Sequence, residues 1–289
     1  MNFGIAFANA GPFGYPEMLT HLATTAENVG IESLWTVEHV IVPVGYQSEY
    51  PYDPSGKMPG PEDSPIPDPI LPLAYVAGIT KKIRLGTGIL ILPQRHPTYV
   101  AKEIATLDVL SGGRAILGIG VGWLREEFDA LGIAFEERAA RTRESVEAIR
   151  SLWKEGTSTF EGKYFRWPAV ESNPKPVQAG GVPIVIGGHT DLAAKRAARY
   201  CDGFFPGRGD AKRIGELLTI LKDECKKVGR DPSEIELTLP LPLFNYDLDL
   251  IRRYRDMGAS RVMIGPPGFD KEGLAEGLER FGNDVIAKL

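Results

Sequence analysis

Eight short apolar runs recur along the chain, each followed by an amphipathic or polar stretch, and this alternation limits the folds open to it. The runs are Phe3–Phe7, Glu32–Trp35, Ile83–Thr87, Ala115–Ile119, Pro183–Ile186, Gly203–Phe205, Glu236–Leu239 and Arg261–Ile264. They are apolar throughout instead of alternating, which suits parallel strands buried on both faces. Helical spacing follows the first run, with Met18, Leu22, Ala26 and Val29 in Pro16–Val29. Further helices are predicted at Pro72–Thr80, Thr98–Leu110, Glu136–Lys154, Asp191–Tyr200, Ala211–Val228, Asp247–Met257 and Lys271–Lys288. Eight strand–helix units of about 30 residues predict an α/β fold, a (β/α)8 TIM barrel, as a single domain over residues 1–289. A doubly wound sheet is the competing layout.

Two stretches exceed an ordinary connection. The first, about 40–69, follows strand two and is polar and Pro-rich. The second, 156–181, follows strand four and contains "FEGKYFRW", whose aromatic segments around a glycine predict a small hairpin. Both are expected to set the substrate.

The net charge of −5 argues against nucleic-acid partners and gives no support to anionic membranes. No run of about 18 apolar residues is present, and no secretory leader is visible. Cys201 and Cys225 form no metal or redox motif and read as reduced thiols of a cytoplasmic protein. No His/Cys/Asp/Glu set has metal-ligand spacing. No G-x-S-x-G elbow exists.

Glycines then concentrate where strands end. In "AILGIGVGWLREEFDALG", Gly118, Gly120 and Gly122 alternate, but the third position of a dinucleotide fingerprint is Trp123 and the unit is fourth in line. That fingerprint therefore fails on spacing and on location. Gly118 and Gly120 also have a bland explanation, close packing of helices on the strand. "LGTG" (Thr87, Gly88) and "IGGHT" (Gly187, Gly188) repeat the pattern on strands three and five, predicting a flat surface on which a ring system meets bare backbone. Thr190 and Asp191 cap the helix that follows "IGGHT", a suitable phosphate site. "PGRGDA" adds Gly207 and Arg208 after strand six. Of the four histidines, His21 reads as a surface residue, His96 as ordering its loop, His39 as lying at the barrel mouth, and His189 as touching phosphate or positioning the helix start.

"LWTVEHVIVP", "IRLGTGILILPQRHPTYVAKEIATLDVLSGGRAILGIGVGWLREEFDALG" and "VPIVIGGHTDLAAKRAARYCDGFFPG" together resemble the bacterial-luciferase-like barrels, closest to the coenzyme F420-dependent branch. The resemblance implies a bound deazaflavin, with FMN as the alternative. It places His39 near the ring edge as the acid–base group, with Glu38 to orient it. It puts a non-proline cis peptide at Gly88–Ile89, ring-edge contacts at Val121 and Gly122, and contacts to the cofactor side chain and phosphate at Ile186, Gly187 and Gly188. A deazaflavin-dependent sugar-phosphate dehydrogenase of the family carries a catalytic Glu where this chain has Trp123, which disfavours a glucose-phosphate substrate. Trp123 with Tyr46, Tyr50 and Tyr52 is expected to wall the site. The expected reaction is hydride transfer to or from a small organic substrate. The alternatives are an FMN monooxygenase fed by a separate reductase and a non-catalytic flavin-binding protein. A homodimer through the helices next to strands two and three is expected.

Overall fold

A computed structural model describes residues 1–242 and 246–289. Its strands are β1 (Asn2–Ile5), β2 (Ser33–Thr36), β3 (Arg84–Thr87), β4 (Leu90–Ile91), β5 (Ala115–Gly120), β6 (Ser158–Glu161), β7 (Arg166–Val170), β8 (Ile184–Gly187), β9 (Gly203–Phe205), β10 (Glu236–Pro240) and β11 (Arg261–Ile264). The helices are α1 (Pro16–Val29), α2 (Ile70–Ile79), α3 (Pro97–Ser111), α4 (Arg125–Ala130), α5 (Arg138–Trp153), α6 (Asp191–Tyr200), α7 (Ala211–Val228), α8 (Leu248–Asp256) and α9 (Lys271–Asp284). β1, β2, β3, β5, β8, β9, β10 and β11 pair in parallel around a closed ring, with β11 returning to β1. This is the (β/α)8 barrel, and ring closure excludes the doubly wound sheet. β4 continues β3 along β5 beyond the Gly88–Ile89 peptide, which is cis.

Helix ends follow local chemistry. Asp210 accepts the Arg213 amide at the start of α7, Gly229 closes it with φ +71°, and Lys226 and Lys227 complement the helix dipole in the last turn. The helix predicted after strand four is α5, and a short extra helix, α4, precedes it. Gly132, at φ +69°, stops α4 one residue beyond its cap, and α5 starts afresh at Arg138.

The barrel has two apolar layers. One lies between strands and helices and includes Leu34, Leu85, Leu117 and Ile186. The other fills the interior with Trp35, Ile116, Val185 and Met263, against which Ala6 and Phe205 pack. Glycines make room for the Trp35 indole: a Cβ on Gly86 would lie 2.8 Å from the ring, and one on Gly118 would lie 1.8 Å from the Thr87 carbonyl oxygen. The opposite, N-terminal end is closed by ion pairing. The fully buried Arg261 meets Glu32 at 2.7 and 2.8 Å, donates to Glu236, and lies over the Trp35 ring. Among the described residues no helix is long and apolar enough to cross a membrane, and none form a metal-ligand group.

Candidate active site

Three segments meet at the C-terminal ends of the strands. Asn9, just past β1, holds the chain after β2 by accepting from the Val37 amide at 2.8 Å and donating to the Val37 carbonyl at 2.9 Å. His39 follows two residues on. Its Nδ1 lies 3.0 Å from Oε2 of Glu127 in α4, a side chain with no exposed surface. Oε1 of the same carboxylate accepts the amides of Val40 at 2.7 Å and Ile41 at 3.3 Å. An ionised carboxylate in this place would accept from Nδ1 and leave Nε2 of a neutral ring as the acceptor. Nε2 has no hydrogen-bond partner among the described residues. The Trp123 ring stands edge-on to His39, with centroids 5.6 Å apart.

Glu38 does not orient His39. Its side chain turns to the other side of the strand end, where it accepts the Ile91 amide at 2.5 Å and Arg95 Nε at 2.8 Å. Arg95 also reaches Asp68 at 2.6 Å. Burial raises the Glu38 pKa, which the Arg95 charge offsets only in part. Burial also works to raise Asp68, but Arg95 and the amides of Ile70 and Leu71 outweigh it and the net shift is downward. Glu38 and His39, adjacent in sequence, bond different partners: His39 meets Glu127, and Glu38 meets the Ile91 amide and Arg95. The group thus ties the end of the first insertion to the backbone beyond the cis peptide.

The first insertion crosses the mouth. Tyr46 and Tyr50 stand edge-on to Trp123 at 5.6 and 5.2 Å, Tyr50 meets Tyr52 at 5.5 Å, and Tyr52 meets His189 at 5.0 Å. An unbroken aromatic row therefore runs from His39 to His189. Burial, then the neighbouring Tyr52, pushes the Tyr50 phenol up to about 12, so it stays neutral. Glu126, the residue before Glu127, accepts the Gln47 amide at 2.7 Å, the Ser48 amide at 3.0 Å and the Ser48 hydroxyl at 2.6 Å. On the far side Arg208 donates to the Pro51 carbonyl at 2.6 Å.

The glycine-rich strand ends are not the bare flat surface expected, since side chains occupy the space at Gly120, Gly122 and Gly187. Ile89 lays its side chain across them: a Cβ on Gly120 would fall 2.5 Å from Ile89 Cδ1, and one on Gly187 would fall 2.7 Å from Cγ2. Gly118 and Gly120 thus face inward, toward Trp35 and Ile89, not outward to helices. Gly122 has φ +81° and its missing side chain faces Phe128 and Ile91, not the mouth. Thr87 is buried with its hydroxyl spent on the Gly118 carbonyl at 2.6 Å, and Ile186 points into the outer layer. These two therefore present no side chain to a ligand. Gly88, Ile89, Val121 and Trp123 are the half-buried members that remain at the rim.

At the other end of the aromatic row lies the start of α6. Gly188, at φ +139°, donates its amide to the Phe205 carbonyl at 3.0 Å, and a Cβ there would lie 2.8 Å from Ala193. Thr190 caps the helix by accepting the Ala193 amide at 3.2 Å. His189 is half-buried and its Nδ1 is enclosed without a partner. Burial, then Arg208 and Arg213, holds its pKa below the ordinary value. Gly207 lies against the Tyr52 ring. His96 is elsewhere, at the start of α3, where its Nδ1 accepts the Thr98 amide. His21 bonds the Lys271 carbonyl at 2.9 Å on the outer wall.

Glu126 and Glu127 were not singled out in the sequence. Acidic residues in a first helical turn are ordinary complements of the dipole, and no spacing ties them to His39, 88 positions away. The second insertion was expected to help set the substrate. β6 and β7 form the predicted hairpin against α5, and the rest of the 156–181 stretch bonds Asp108 of α3, Arg84 of β3 and Ala115 of β5.

A family model described as luciferase-like monooxygenase matches residues 1–247. The chain belongs to that family. An uncharacterized protein of Mycobacterium tuberculosis is 31% identical over 96% of this chain and 99% of its own length. An F420-dependent glucose-6-phosphate dehydrogenase of Amycolatopsis mediterranei is 31% identical over 84% of this chain and 68% of its own. Among solved structures, the oxygenating constituent of the 3,6-diketocamphane monooxygenase of Pseudomonas putida, in complex with FMN, superposes with a TM-score of 0.75 at 18% identity, covering 100% of this chain and 99% of that one. That last likeness shows the fold alone. Family membership supports an oxidoreductase.

Proposed function

We propose that the protein is a coenzyme F420-dependent oxidoreductase acting on a small, largely apolar organic substrate. The observation that carries this is the pairing of two unlike ends on one mouth. At one end is His39 with an unpartnered Nε2, and at the other an enclosed, unpartnered His189 Nδ1 beside the α6 N-terminus and Arg208. The second end fits a phosphate-bearing group: helix amides, an orphan ring nitrogen and a cradle at Gly188 too tight for any side chain. Gly88, Ile89 and Val121 would line the ring, and Gly187, Gly188, His189, Thr190, Gly207 and Arg208 would hold the phosphate side chain. The bound deazaflavin would supply hydride chemistry. His39 holds or releases a proton at Nε2. Trp123, backed by Tyr46 and Tyr50, walls one side of the His39 ring. Trp123, in place of an acidic residue, leaves a sugar-phosphate substrate without a charged partner there.

The test is a fluorescence titration of the purified protein with coenzyme F420 and with FMN. Saturable quenching by F420, with FMN weaker, is expected. Tight FMN binding with no response to F420 overturns the reading in favour of an FMN monooxygenase, which would then consume oxygen with reduced FMN. The proposal includes a homodimer. Leu71, Tyr75 and Ile79 form an exposed apolar stripe on α2 beside the exposed Tyr99 and Leu110 of α3. Sedimentation at a monomer's mass removes that part.

A further inference from the structure

We infer that Glu127 is a positioning residue that fixes the tautomer of His39, and so decides which ring nitrogen handles protons. The inference rests on the reading of His39 as the acid–base group only for its use; the tautomer itself is a property of this chain alone. Glu127 is a fully enclosed carboxylate that, among the described residues, pairs with no Lys or Arg. It is held by the amides of Val40 and Ile41 on Oε1 and by the His39 ring on Oε2. Enclosed carboxylates persist when donors satisfy them. Because two of its three donors are backbone amides of the segment that carries His39, the carboxylate and the ring cannot drift apart separately.

The consequence is directional. Free neutral histidine prefers its proton on Nε2. Here the acceptor-only carboxylate draws it to Nδ1 and leaves the Nε2 lone pair open beside Trp123. A substrate O–H or N–H then gives its proton to Nε2: the new N–H bond forms, the old bond breaks, and its electron pair stays on the substrate atom. The imidazolium so formed keeps its Nδ1–H on Glu127.

Glu127→Gln makes a sharp test. The amide oxygen must stay on the Val40 and Ile41 amides, since an NH2 group there would set donors against donors. Its NH2 group then faces His39 Nδ1, which has to become the acceptor, and the proton moves to Nε2. Long-range proton–nitrogen correlation spectra of the 15N-histidine-labelled full chain read this directly. Four histidines contribute, and the signals missing from His39→Asn identify His39. The wild type should show Nδ1–H and a bare Nε2 at a pH where the ring is neutral, and Glu127→Gln the reverse. If the amide variant does not fold, Glu127→Ala, which removes the acceptor, should return His39 to Nε2–H. A wild type already in the Nε2–H form, or a variant that keeps Nδ1–H, overturns the inference. The two readings fail separately. Unchanged turnover in His39→Asn removes the acid–base role and leaves the tautomer result standing.

Discussion

The two insertions are fastened by the same device and put to different uses. Residues 163–165 in the 156–181 insertion give their amides to Glu144 of α5, at 2.9, 2.7 and 2.8 Å. The 40–69 insertion gives two amides to Glu127, and the third place on that carboxylate goes to an imidazole. Glu144 completes a turn on the barrel flank, with Phe160 stacked on Trp167 at 4.9 Å behind it. Glu127 completes a turn at the mouth and, with the same chemistry, holds the His39 ring for which we propose the acid–base role. A buried carboxylate held by backbone amides is therefore a general fastener, and its place on the barrel decides whether it also serves a reaction.

The comparison breaks most visibly at His39. Replacing His39 with Asn should lower turnover by about 10²–10⁴-fold, while cofactor affinity, read by fluorescence, stays within a few-fold. An equal loss of affinity would make the ring a binding group only. The flank counterpart comes next: Glu144→Ala leaves three amides without their acceptor and should cost about 2–4 kcal/mol. The melting temperature then falls by several degrees with turnover per folded molecule unchanged. A drop in turnover would mean that the second insertion reaches the chemistry after all. Trp123→Ala opens the wall beside Nε2 and should weaken ligand binding about tenfold, or about 1.4 kcal/mol, measured in the same titration.

The smallest expected effect is a pH response confined to the first insertion. The Ser48 hydroxyl, then the Gln47 and Ser48 amides, lower the Glu126 pKa to about 2, well below the ordinary carboxylate range. A depressed carboxylate contributes its stability above the unfolded value and loses it as pH falls toward the folded one. Protection of the Gln47 and Ser48 amides, with exchange rates corrected for the intrinsic pH dependence, should therefore fall below about pH 4.5, and Glu126→Gln should remove that dependence. The amides on Glu144 give the control within the same spectrum.

Much of the fold was legible because strands buried on both faces leave continuous apolar runs and helices leave a 3.6-residue period. The helix boundaries at Pro16–Val29, Asp191–Tyr200 and Ala211–Val228 follow from that pattern together with their caps. The short helix α4, closed at Gly132, was not predicted as a separate element, since six residues are too few to show a helical period. At the site, the mouth positions of His39, Trp123 and the start of α6 could be read from where runs end. The assignment of Glu38 to His39 did not hold, because the Ile91 amide and Arg95, both distant in sequence, take that carboxylate.

The sequence by itself determined the eight-fold alternation, the two insertions and the glycine-rich strand ends, since each depends on neighbours along the chain. Only the tertiary structure decided what fills the space those glycines leave, namely Trp35 within the barrel and Ile89 over Gly120 and Gly187. It also decided which carboxylate meets His39. Glu127 lies 88 residues away and is brought within 3.0 Å by ring closure and by two backbone amides. Contacts of that kind depend on the shape of the closed barrel, and no local period or motif encodes them.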